Sequence, residues 1–343
     1  MDRNERKTNS RTHSITVDRE SRFVLRKVFL DFIILFCVGF LILAYYLWGT
    51  PYKRGFFCDD ESLKHPYKES SVTNVQLYIV GLGLPVLTMC LTEWIRLRDY
   101  MGSRSRTVLG KKIPPWVWEA YRVVGVFLFG CACQQLTTDV AKYTIGRLRP
   151  HFFDVCIPDI DCDLPANRWK YVEHFNCLGD NEKLKKEMRL SFPSGHSSFS
   201  AYTMLYFFIY FLDKIFNFYF FYMIQHTKIH TTLNLHPSTI NPYFSFMYLQ
   251  KRFTWRGSKL LKHGIQFILL LLAWYTVMTR ISDYKHHWSD VMAGFAIGLL
   301  FAIVIFLFVS DLRKAPRSSR TLNLEAELHT SNGNTRGVPR AAV

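Results

Sequence analysis

Val28-Phe-Leu-Asp-Phe-Ile-Ile-Leu-Phe-Cys-Val-Gly-Phe-Leu-Ile-Leu-Ala-Tyr-Tyr-Leu-Trp48 is an apolar run interrupted by one carboxylate. A helix needs about 20 such residues to cross the hydrocarbon of a bilayer, so this run decides the class of fold. Further apolar blocks follow at 75–94 and 117–136, from Ser197 past Leu212, and at 264–278 and 291–309. The expectation is an all-α, polytopic membrane protein with six transmembrane helices. Charged residues lie between the blocks, the hydropathy pattern of spans joined by polar connections.

Composition agrees. Of 343 residues 49% are hydrophobic and 16% aromatic, yet the net charge is +16. A basic chain often binds nucleic acid. Here Lys and Arg flank apolar blocks, so nucleic acid is excluded as a partner and the bilayer is the expected one. The eight cysteines contain no Cys-x-x-Cys pair, so no zinc site is expected.

Orientation follows from the distribution of positive charge. The basic segment 1–27 has no apolar stretch of its own and is no signal peptide. It carries Arg3, Arg6, Lys7, Arg11, Arg19, Arg22, Arg26 and Lys27, and the second-to-third connection carries Arg96, Arg98, Arg104, Arg106, Lys111 and Lys112. In the first-to-second connection Lys53, Arg54, Lys64 and Lys68 are offset by Asp59, Asp60, Glu61 and Glu69. Both termini are therefore expected in the cytosol, with the connections after spans one, three and five outside. Cys58, Cys156, Cys162 and Cys177 fall in those outer connections, where oxidation to one or two disulfides is expected and pairing is left open. No Asn-x-Ser/Thr sequon occurs.

Three clusters lie beside the outer span ends. Lys142-Tyr-Thr-Ile-Gly-Arg147-Leu-Arg149-Pro150 follows the third span. If helical, it sets Lys142 and Arg149 two turns apart on one face, where two cations either meet an anion or snorkel to headgroups. Ser191-Phe-Pro193-Ser194-Gly195-His196-Ser197 precedes the fourth span. A Pro/Gly turn feeding a helix N-terminus suits an anion; Ser194 can add a hydroxyl, and His196 stands where a general acid would. An ordinary capping turn is the alternative, stronger for Ser197 than for His196. Thr279-Arg280-Ile-Ser-Asp-Tyr-Lys-His286-His287-Trp-Ser-Asp290 joins the last two spans. On a helix His286 and Asp290 share a face, so the carboxylate can take one imidazole N–H and leave the other nitrogen as nucleophile. Arg280 brings a fork suited to phosphate oxygens. No further ligands complete a metal site around His286, His287 and Asp290. Six spans bring all three clusters to one face, where Lys142, Arg149, Arg280 and the Gly195 N–H can surround a phosphoryl group.

These clusters resemble the three-part signature of the type-2 phosphatidic acid phosphatase superfamily: Lys-x6-Arg-Pro, Pro-Ser-Gly-His and Ser-Arg-x5-His-x3-Asp. Thr279 stands where the pattern has Ser. The likeness runs from about Arg26 to Leu312. Gly55-Phe-Phe-Cys-Asp-Asp-Glu and Ser282-Asp-Tyr-Lys-His-His-Trp-Ser-Asp are similar to animal lipid phosphate phosphatases, the insect wunen-like members above all. The resemblance implies a phosphohistidine intermediate formed without metal or other cofactor. His286 would be the nucleophile, Asp290 its orienter and His196 the acid, with Lys142, Arg149, Ser194, Gly195 and Arg280 on the phosphate. It implies lysophosphatidate, phosphatidate, sphingosine 1-phosphate and ceramide 1-phosphate as substrates, with plasma membrane as the expected location and the site facing outward. Sugar phosphates or isoprenoid diphosphates as substrates, and a catalytically silent scaffold or splice form, are the rivals. A transporter is disfavoured because the charges cluster at one face. Homo-oligomerisation stays open.

One region departs from the resemblance. The 28–312 domain holds an unusually long inner connection, an insertion at about 211–248. Its apolar start is read as a cytosolic or interfacial extension, since a seventh span would put His286 opposite His196. A polar tail, 313–343, is expected to be disordered.

Overall fold

The computed structural model describes residues 2–98, 106–108, 111–211 and 259–310. Past its first residue the expected insertion at 211–248 lies outside the described residues, as does the expected tail from 313.

Helices dominate. α1 (Asp2–Trp48) carries the opening apolar run. A strand β1 (Phe56–Phe57) precedes α2 (Asn74–Leu97), which contains a π turn at Ile79–Gly83. A hairpin of β2 (Arg106–Val108) and β3 (Lys111–Ile113) leads to α3 (Pro115–Ile145). Then come the short α4 (Phe152–Cys156), β4 (Tyr171–Val172) and α5 (Glu182–Glu187). The helix α6 covers 195–211, and α7 (Lys259–Ser282) and α8 (Trp288–Val309) close the bundle.

Five stretches among the described residues are long and apolar enough to cross a membrane: Ser21–Trp48, Asn74–Leu97, Pro115–Ile145, His263–Ser282 and Trp288–Val309. The fourth expected span is α6, whose far end lies outside the described residues. Phe29, Phe32, Phe36 and Phe40 of α1 project outward, fully or half exposed. Such a surface suits lipid and not water. The chain is an integral membrane protein with several spans.

Local chemistry sets the helix ends. Thr73 caps α2 in a box with Gln76, each side chain meeting the other's backbone N–H. Pro115 opens α3, where a missing N–H costs nothing. Gly146 ends it in the left-handed region, φ 59°, its N–H returning to Lys142 O at 3.1 Å.

α3 packs on α1, α2 and α8. Its Tyr121 hydroxyl donates to Asp31 at 2.7 Å, which satisfies the one carboxylate in the first apolar run. Buried Phe127, Phe199, Tyr202, Tyr206, Leu269 and Ile305 join α3, α6, α7 and α8 into the main core. A second core forms a cap over one end of the bundle, from Phe56, Leu63, Leu148, Phe152, Val172 and Met188. There β1 pairs antiparallel with β4, Phe56 opposite Val172. Disulfides Cys58–Cys162 and Cys156–Cys177 tie the cap, joining all four cysteines of the expected outer connections.

The Cys58–Cys162 bond closes a loop 104 residues apart in sequence. Chain entropy assigns such a cross-link roughly 3–5 kcal/mol. Replacing both cysteines by Ser is expected to lower the thermal midpoint of the detergent-solubilised protein by several degrees. An unchanged melting curve would show that the cap is held by its apolar core alone.

Candidate active site

Lys142 occupies the last turn of α3, and the chain then leaves the helix at Gly146. Arg149 is thus not two helical turns further along the same face, as the helical reading had it. It lies in the extended segment beyond, its backbone N–H held by Met188 O at 2.8 Å. A left-handed glycine, and not helical phase, turns Arg149 back towards the site.

The second cluster is the turn before α6. Ser194 is fully buried and its backbone N–H donates to Asp290 O at 2.9 Å. Gly195 and His196 are the first residues of the helix, so no intrahelical carbonyl can reach their N–H groups. A Cβ on Gly195 would lie 2.9 Å from Lys142 Nζ. The first two clusters are therefore in contact. The His196 ring Nε2 lies 3.2 Å from Val72 O, in the connection after α1.

The third cluster is split by a helix boundary. Arg280 ends α7, 1% exposed. One of its terminal nitrogens donates to Asp283 at 3.0 Å and to Val72 O at 3.3 Å. His286 precedes α8, which starts at Trp288 with His287 as its cap. His286 and Asp290 therefore do not share a helical face. Asp290 is at the third helical position, where one of its oxygens accepts the His287 N–H at 3.1 Å. The expected direct hydrogen bond between Asp290 and His286 is not made. The His286 Nδ1 is 4.0 Å from the carboxylate and 2.7 Å from Ser191 O, to which it donates. Asp290 acts from one step behind, accepting the Ser191 hydroxyl at 2.6 Å and pairing with Arg147.

Lys142, Arg149, Ser194, Gly195, His196, Arg280, His286 and Asp290 thus meet at one end of the bundle. His286 is 4% exposed. Burial first, then the positive fields of Arg149 and Lys142, hold its pKa well below the usual histidine value. The ring is neutral at physiological pH, with its Nδ1–H on a carbonyl and Nε2 carrying the lone pair. Burial likewise lowers the pKa of Arg149. The Nε groups of Arg149 and of Arg280 are buried without a hydrogen-bond partner. Lys142 Nζ makes no hydrogen bond or ion pair among the described residues. An anion would satisfy all three.

Four contributors escaped the sequence reading. Arg147 and Ser191 stood inside the quoted clusters, without a role. Asp283, three residues from Arg280, is a readable helical pair. The strap Ser70-Ser71-Val72 gave no signal. It is tied down by Ser71, whose N–H and hydroxyl both donate to Asp283, at 2.8 and 2.7 Å.

The PAP2 superfamily pattern matches residues 123–314. That stretch holds all three clusters. The chain belongs to the PAP2 superfamily. Among relatives, a Drosophila melanogaster protein named "Putative phosphatidate phosphatase" is 43% identical over 317 residues, 89% of this chain and 73% of the relative. Mouse phospholipid phosphatase 1 is 36% identical over 285 residues, 82% of this chain and 83% of the relative. Human phospholipid phosphatase 2 is 34% identical over 292 residues, 84% of both chains. No solved structure gives a significant match.

Two glycines separate catalysis from packing in this PAP2 site. In Gly195→Ala the new methyl meets the movable end of Lys142. The variant should fold with an unaltered thermal midpoint while kcat/KM falls roughly 10–100-fold, the loss of one charge-assisted contact. In Gly294→Ala the methyl would meet Ser194 O at 2.4 Å, a backbone atom. Stability and activity should then fall together. Melting curves and kinetics on both variants check this, and equal behaviour of the two would contradict it.

Proposed function

We propose that this PAP2 protein is a metal-independent lipid phosphate phosphohydrolase working through a phosphohistidine. The observation that carries the reading is a buried, neutral His286 beside Lys142, Arg149 and Arg280, with the Nε of both arginines buried and without a hydrogen-bond partner. In this reading the phosphate oxygens lie on those three cations, the Ser194 hydroxyl and the Gly195 N–H. The Nε2 lone pair of His286 attacks phosphorus and the P–O bond to the alkyl group breaks. His196, which takes up a proton as the phosphate dianion binds beside it, gives that proton to the departing alkoxide. Water, deprotonated by His196, then attacks phosphorus and releases inorganic phosphate with His286 neutral again. The cations stabilise charge on the equatorial oxygens, the main demand of phosphoryl transfer.

Lipid monoesters as substrates are supported by the names of the relatives and by a groove. An almost wholly apolar groove of about 290 Å³ lies between α6, α7 and α8, lined by Ala201, Leu205, Leu271, Trp274 and Phe295. Ala201 is one to two turns below His196 on the same helix. A lipid with its phosphate at His286 would lay an acyl chain there. Phosphatidate, lysophosphatidate, sphingosine 1-phosphate and ceramide 1-phosphate all fit that description. A site at the extracellular or luminal face is supported by the two disulfides of the cap above it. Six spans, cytosolic termini and a plasma-membrane location complete the proposal.

The test is phosphate release from lysophosphatidate by intact expressing cells with a chelator present, beside His286→Ala. Chelator-resistant release that the variant loses by at least 10³-fold is the expected result. Release only after permeabilisation would move the site to an internal membrane. Release that the chelator abolishes, or that survives in His286→Ala, would overturn the mechanism.

A further inference from the structure

Lys285 stands next to the nucleophile, and neither the mechanism above nor the three-part signature uses it. It is 5% exposed. Its backbone N–H and that of His286 both reach Arg280 O, at 3.1 and 3.2 Å, so one carbonyl fixes Arg280, Lys285 and His286 relative to one another. Its ammonium sits 3.7 Å from the ring centre of Tyr67, in the connection between α1 and α2.

That face-on contact covers one side of the cation. No hydrogen bond or ion pair to it appears among the described residues. The nearest carboxylate in sequence, Asp283, is already engaged by Arg280 and by Ser71 through both oxygens. An ammonium largely withdrawn from water, with no hydrogen-bonded anion, is costly to keep. The three N–H donors of Lys285 therefore await acceptors on the side away from Tyr67.

We propose that Lys285 is a further phosphate-binding residue, taking a non-bridging oxygen of the phosphate monoester beside His286. The assignment rests on the reading of this site as a phosphomonoesterase. Charged and titratable groups around Lys285 come from every neighbouring element. Tyr67 belongs to the first connection, Arg149 and His151 to the segment after α3, and Glu187 to α5. Arg280 and Asp283 belong to the end of α7, and His286 follows directly. Burial, then Arg149 and Arg280, outweigh Glu187 and Asp283 and lower the Lys285 pKa from 10.5 to about 8. His151 is held neutral, its pKa lowered by burial and Arg149 to about 4.

The sign of the consequence is fixed. The phosphate-binding form of Lys285 is the ammonium, present below pH 8 in the free enzyme and lost above it. A substrate monoester is dianionic there, with its second pKa near about 6. The pH profile of kcat/KM, which reports free-enzyme groups, should therefore decline above about pH 8.

Full-length enzyme in mixed micelles, with lysophosphatidate as substrate, tests this between about pH 6 and 10. Lys285→Met is expected to lower kcat/KM about 10–100-fold and to lose the alkaline decline. Lys285→Arg is expected to retain most activity and to move the decline upwards. Inorganic phosphate, as a competitive inhibitor, should bind more weakly to Lys285→Met by a similar factor. An unchanged alkaline decline in either variant would overturn the proposal, and so would full phosphate affinity in Lys285→Met. Should Lys285→Met fail to fold, the Arg variant decides alone. A His286→Ala enzyme that still turns over would overturn the site reading and this proposal together; a dead His286→Ala beside an unaltered Lys285→Met would sink this proposal only.

Discussion

The hydrogen bond from Ser194 N–H to Asp290 O, 2.9 Å long, joins the start of α6 to the start of α8. Two helix N-termini can approach this closely because Gly294 places no side chain against Ser194 O. The rest of the site inherits its geometry from that contact. It sets Ser191, three residues upstream of Ser194, against both His286 and Asp290. At the start of α6 the Gly195 and His196 N–H groups have no intrahelical carbonyl, a fixed positive potential that needs no ionised side chain. The bundle below and the cap above serve to hold this junction.

The junction also explains how a neutral histidine can stand beside so many cations. Burial most strongly disfavours an imidazolium at His286, and the fields of Arg149 and Lys142 add to the penalty. Both effects select the neutral ring. The field that would bind a phosphate dianion thus also helps burial to keep His286 deprotonated at Nε2. The same cations are tolerated in the absence of an anion through anchors set behind them. Asp283 holds Arg280, and Arg147 with Ser191 shares the charge of Asp290. Charge is balanced at the rim of the site and left unbalanced at its centre.

The multi-span class was legible because apolar length is a strong signal. Five of the six expected blocks appear as helices long enough to cross, and the sixth is helical as far as it is described. The meeting of the three clusters was also legible, since parity of spans alone demands it. Local geometry was not. Helical phase put Arg149 on the face of Lys142, whereas Gly146 ends the helix between them. Spacing put His286 on a helix with Asp290, whereas the helix begins after His287. The strap Ser70-Ser71-Val72 meets residues 124 to 212 positions away, and no local pattern encodes such a contact. The pairing of the four cap cysteines belongs to the same category.

The misread spacing carries a physical lesson about the His-x3-Asp pattern. Its regularity invites an i, i+4 pair in which carboxylate meets imidazole. Here the spacing is that of a helix start: Asp290 stands at the third position and accepts the N–H of the capping residue His287. The orienting acceptor for His286 is the neutral carbonyl of Ser191. That substitution suits the chemistry. A carboxylate directly on Nδ1 would favour the imidazolium and work against the cations that keep the ring neutral. A carbonyl fixes the tautomer and ring plane without adding charge. The Asp290 charge is exerted from 4.0 Å, where, in the proposed mechanism, it would stabilise positive charge developing on His286 during phosphoryl transfer. In that mechanism, selecting the neutral ring in the free enzyme and supporting its cationic form later are opposed demands, which Asp290, one residue removed from Nδ1, would meet together.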